Sequence, residues 1–122
     1  MMQFIAAVGI SFVYLAVLYF LGDWVLQVWT KGQVHIEQPF FLLLLLSVVA
    51  ETLWTTIWIP ICAINRHAFI AYSYGVLALL AVVAGYFFVS PLGIAGVVVP
   101  LLIVHLIMLA AAAIRTSREL PR

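Results

Sequence analysis

PFFLLLLLSVVAETLWTTIWIPICAI, residues 39–64, holds one charged side chain, Glu51. A helix crosses a bilayer with about 20 mostly apolar residues, so this run is long enough to span. A carboxylate at the centre of such a run costs about 3 kcal/mol to insert. Glu51 therefore belongs on a face turned away from lipid. Ser47, Glu51, Thr55, Trp58 and Cys62 stand at i, i+4, i+8, i+11 and i+15 and predict one polar stripe. Leu42, Leu46, Val49, Leu53 and Ile57 form the opposite face, suited to lipid or packing.

Three more runs of the same kind lie outside it, about 4–22, 68–89 and 95–114. The composition agrees. Of 122 residues, 68% are hydrophobic and 7% charged, with five basic and four acidic side chains. A soluble domain carries roughly 25% charged residues. The expected fold is therefore all-α: an integral membrane protein with four transmembrane helices in an antiparallel bundle, 1–122 forming a single region. The first run has no Lys or Arg before it and no clear A-x-A site after it, so it reads as a span and not a signal peptide. DWVLQVW, 23–29, has Trp24, Val25, Val28 and Trp29 at helical spacing and is expected as a short interfacial helix after Gly22.

Charges orient the spans. Arg115, Arg118 and Arg122 follow the fourth run, and Arg66 sits in the turn between the second and third. Lys31 lies alone in the first loop, near Asp23 and Glu37. The positive-inside rule places the 115–122 tail and the Asn65–His67 turn in the cytoplasm, and four spans bring the N-terminus to the same side. Trp24, Trp29, Tyr86, Phe87 and Phe88 fall at expected membrane boundaries.

With the fourth span taken as 96–114, His105 is its midpoint, at the depth of Glu51 on a helix running in the same direction. Glu51, His105, Ser47 and Thr55 are thus candidates to line a polar cavity. The plainer alternatives stand beside this reading. Ser and Thr inside membranes commonly bond their own helix carbonyls, and a single Glu or His can bridge two helices. His35 and His67 read as solvated loop residues. Gly75, Gly85 and Gly96 are expected packing positions, within the chain or with a partner; the first two follow alanines at i−4, Ala71 and Ala81. Pro60 and Pro100 interrupt spans two and four and tend to kink them.

Other function classes find no support in the residues. A net charge of +1 offers no nucleic-acid surface. The single Cys62 gives neither an internal disulfide nor metal-ligand spacing. No phosphate loop, HExxH, G-x-S-x-G or CxxC occurs. No enzyme activity, cofactor or metal is expected.

Two longer stretches resemble a known family. LGDWVLQVWTKGQV, 21–34, has a helix ending in Gly followed by a Trp-Thr-x-Gly-x-Val sequence. AINRHAFIAYSYGVLALLAVVAGYFFVSPLGIAGVVV, 63–99, has a short Asn/Arg/His turn before a helix and a Pro-x-Gly-x-x-Gly turn at Pro91, Gly93 and Gly96. Over about residues 5–115 the chain resembles the lipid-linked oligosaccharide flippases, or polysaccharide biosynthesis proteins, of the multidrug/oligosaccharidyl-lipid/polysaccharide exporter superfamily. Members have about twelve or more helices in two lobes around a cavity and move a lipid-linked sugar chain across the bacterial inner membrane by alternating access. The resemblance implies that this chain corresponds to the last four helices of such a transporter, truncated or split from the rest. Its implied partners are the bilayer, the remaining helices or a partner subunit, and a lipid-linked sugar substrate. Two other readings fit four spans. One is a non-transporting assembly or accessory subunit. The other is a small four-helix multidrug exporter acting as a dimer; those resemble one another in a central Glu on the first helix, whereas here it lies on the second.

Overall fold

The computed structural model describes residues 2–33 and 37–119. Among these, four helices account for nearly everything: α1 Met2–Trp29, α2 Gln38–Ala63, α3 Ala68–Leu92 and α4 Ala95–Glu119. Each is long and apolar enough to cross a membrane, and they pack against one another. The chain is a multi-pass, all-α membrane protein. His35 and Arg122 lie outside the described residues.

Three helix ends differ from the sequence reading. α1 runs unbroken through Gly22 to Trp29, so 23–29 is its last two turns and not a separate helix. Gly22 serves contact instead of termination: a Cβ there would fall 2.7 Å from the Cε1 of Phe41 on α2. α3 continues through Pro91 to Leu92 and stops at Gly93, whose φ of 59° is a conformation L-residues rarely adopt. α4 continues past Ile114 to Glu119, which puts Arg118 in its last turn, where a cation meets the negative end of the helix dipole. The helices also continue through Pro60 and Pro100.

The turns after α1 and α2 share one device. Asn65 has φ 56°; its N–H donates to the Cys62 carbonyl, and the Arg66 N–H donates to the Ile61 carbonyl. This paired closure is a Schellman motif, and Asn tolerates the left-handed position better than most residues. After α1, Lys31 takes that position at φ 53°, and Gly32 N–H closes onto the Gln27 carbonyl at 2.7 Å.

In space the order is α1–α2–α4–α3. α2 packs against α1 and α4, and α3 packs against α4. The two inner helices bury 28% and 33% of their most apolar 18-residue stretches, against 11% for each outer helix. Consecutive helices are antiparallel, as expected. Because α4 inserts between α2 and α3, however, α2 and α4 are parallel neighbours. Their contacts rise together along both, from Trp54 with His105 to Ile57 with Thr116.

The core is the seam shared by α2, α3 and α4: Trp54, Ile70, Ala81, Val104, Met108 and Ala112. At the α3–α4 hairpin, Gly96 lies directly against the Phe88 carbonyl, and a Cβ there would sit 2.8 Å from the Val89 nitrogen. At Gly85 a Cβ would meet Val97 Cα at 3.5 Å, an ordinary contact. The expectation for Gly75 is not met within the chain: a Cβ there would have nothing within 4 Å. Large side chains such as Phe12, Phe20, Tyr72 and Val82 face outward. In lipid this carries no hydrophobic penalty, so close packing and interhelical hydrogen bonds hold such helices together.

Candidate functional site

The parallel pairing of α2 with α4 brings Glu51 and His105 together near mid-span. His105 is buried, with 2% of its side chain exposed, and its Nε2 lies 3.9 Å from Glu51 Oε2. The Glu51 side chain is 50% exposed. The two expected partners therefore meet, but only the carboxylate reaches the outer surface of the four helices.

Behind them stands a residue that the sequence reading did not select. The indole N–H of Trp54 donates to His105 Nδ1 at 3.1 Å, and this hydrogen bond is buried. The Tyr74 ring from α3 packs on both, with its centroid 5.2 Å from the Trp54 ring and 6.2 Å from the imidazole. Trp54 follows Glu51 by three residues, a same-face spacing on a helix. The i+4 and i+7 spacings led to Thr55 and Trp58 instead. Tyr74 left no comparable trace, because its place follows from α3 packing on α4.

The expected polar stripe divides into two groups. Ser47 is buried on the inner face of α2 with Ala50 and Trp54, and so does not line an open surface. His105 is likewise core and not lining. The Thr55 hydroxyl donates to its own helix, to the Glu51 carbonyl at 2.8 Å and the Thr52 carbonyl at 3.1 Å. Thr52 and Thr56 do the same. These threonines follow the plainer alternative. Cys62 is exposed at the end of α2 and is a free thiol. His67 is exposed at the start of α3, as expected of a loop histidine.

Grooves elsewhere on the described surface are apolar. One of about 390 Å³ between α3 and α4 is lined by Leu80, Ala84, Phe88, Ile103 and Ile107, among others. Another lies along α1 at Ala6, Gly9, Ile10 and Val13. Among the described residues, no group of three His, Cys, Asp or Glu side chains is placed to hold a metal ion.

At the end of the bundle that carries the arginines, the Arg115 guanidinium lies 5.2 Å from the centre of the Phe69 ring. This cation–π contact ties the end of α4 to the start of α3. On α1, the Gln27 side-chain amide donates to Asp23 at 2.7 Å, one turn apart. That bond accommodates a carboxylate near the end of a long apolar helix.

The chemistry available at mid-span is that of a carboxyl group: it can bind and release a proton, or attract a cation or a hydroxyl donor. No protein-family model matches the chain, and no curated protein or solved structure is significantly similar to it.

Proposed function

We propose that this chain is a membrane-transport element: the last four helices of an exporter of lipid-linked oligosaccharide or polysaccharide. Glu51 then lies on the wall of a polar path. The half-exposed Glu51 carboxylate carries this reading. A charge or carboxyl group at that depth is costly against hydrocarbon, and the four helices leave half of its side chain uncovered. α1 and α3 stand at opposite ends of the row and do not close it into a ring. A path past Glu51 is therefore completed by further helices or a partner subunit. The Gly- and Trp-marked turns support assignment to the flippases of lipid-linked saccharides, and the arginines at the end of α4 support a bacterial inner-membrane orientation with both termini in the cytoplasm.

The test is complementation. In cells lacking the gene, the wild-type chain restores surface polymer, and the Glu51→Gln/His105→Asn double variant at the same membrane level does not. Full restoration by the double variant refutes the reading.

One observation favours an alternative, a non-transporting assembly subunit. Gly75 presents a small residue on an open face of α3, suited to close approach by a partner helix. In that case Glu51→Gln leaves function intact, while Gly75→Leu disrupts a complex.

A further inference from the structure

We infer that Trp54 is a positioning residue: its indole N–H holds His105 in the Nε2–H tautomer, with that N–H turned to the Glu51 side. An indole N–H only donates. Its bond to Nδ1 therefore requires a lone pair on that nitrogen, and the single proton of a neutral imidazole is left on Nε2. That N–H is directed to the Glu51 side, at 3.9 Å. The distance exceeds a hydrogen bond.

Protonation of His105 would put a second N–H on Nδ1, directly facing the indole N–H. Two donors cannot share that contact, and Trp54 cannot swing aside without leaving the core formed with Ile70, Val104 and Met108. The other titratable groups facing the pair are few. From α3 comes the Tyr74 phenol, whose ring packs on both His105 and Trp54. α1 does not pack against α4, and its Asp23 is bonded to Gln27.

This deepens the transport reading and rests on it only for the use made of the Nε2–H donor beside Glu51; the tautomer holds with or without transport.

Nitrogen-15 NMR of the full chain in lipid nanodiscs tests the assignment. The sequence has three histidines, so a His35→Gln/His67→Gln background leaves His105 as the only one. The expected result is a single Nε2–H tautomer. A scalar coupling between the indole nitrogen and Nδ1 should accompany it. With Trp54→Phe, which keeps an aromatic ring in the core, both tautomers should appear. A wild-type Nδ1–H tautomer, an absent coupling, or a Trp54→Phe protein that behaves as wild type would each overturn the inference. Intact tautomer and coupling in a chain that fails complementation would count against the transport reading alone.

Discussion

At Trp54, packing and hydrogen bonding can be separated by substitution. The ring fills the seam between α2, α3 and α4, and its N–H satisfies a buried imidazole nitrogen. Trp54→Phe keeps most of the ring and removes the donor. It should cost about 1 kcal/mol, the range of interhelical hydrogen bonds in membranes. Trp54→Ala also opens a cavity and should cost about 3–5 kcal/mol. Reversible unfolding in mixed micelles gives both values, and a Trp54→Phe protein as stable as wild type would show that the hydrogen bond contributes nothing. Glu51 poses the converse problem: its cost is in desolvation, and exposure of half the side chain leaves that cost to whatever lies beside it in the membrane.

Among the helices, small residues with the same spacing have different consequences. Gly96 touches the backbone of α3, so Gly96→Ala forces the hairpin apart and should cost about 1–3 kcal/mol, as overpacking does. Gly75 faces open space, and Gly75→Ala should be neutral or stabilising by up to about 1 kcal/mol through helix propensity. Gly85 meets only an ordinary contact and should tolerate Ala. Thermal unfolding of the three variants in one detergent ranks them; a Gly75→Ala loss as large as that of Gly96→Ala would contradict the packing. The small-xxx-small pattern marks Gly75 and Gly85 alike, but the pattern states only that approach is possible. Which glycine is used depends on where α4 lies.

For the whole molecule, the row α1–α2–α4–α3 is the principal testable feature. In a Cys62→Ala background, Ile57→Cys with Thr116→Cys should join through a short bifunctional thiol reagent, because the Thr116 hydroxyl reaches the Ile57 carbonyl at 3.5 Å. Tyr14→Cys with Ile103→Cys should not, since α1 and α4 do not pack together. The opposite pattern would refute the order. Orientation is tested in the same background: Ser117→Cys, exposed near the end of α4, should react with an impermeant maleimide in inverted vesicles and not in right-side-out ones. Labelling only from outside would reverse the proposed topology.

The sequence carries the number of helices, their apolar character and the mid-span depth of Glu51 and His105. These are properties of length and composition along the chain, because each spanning helix satisfies its own backbone whatever its neighbours. It also marked the turns, since Asn65 and Gly93 stand where left-handed backbone closes a helix. Helix ends were less legible at Gly22 and Pro91: a glycine can serve close contact instead of termination, and a proline can end inside a last turn. That α4 lies between α2 and α3, and with that which residues meet, follows from the packing of the helices. Periodicity places Trp54, Thr55 and Trp58 all near the Glu51 side of one helix. Lateral packing alone selects Trp54 as the partner of His105, turns Ser47 inward and leaves one half of Glu51 open. Choosing among faces depends on contacts between segments far apart in sequence, and in lipid those contacts depend on the fit of side chains more than on their hydrophobicity.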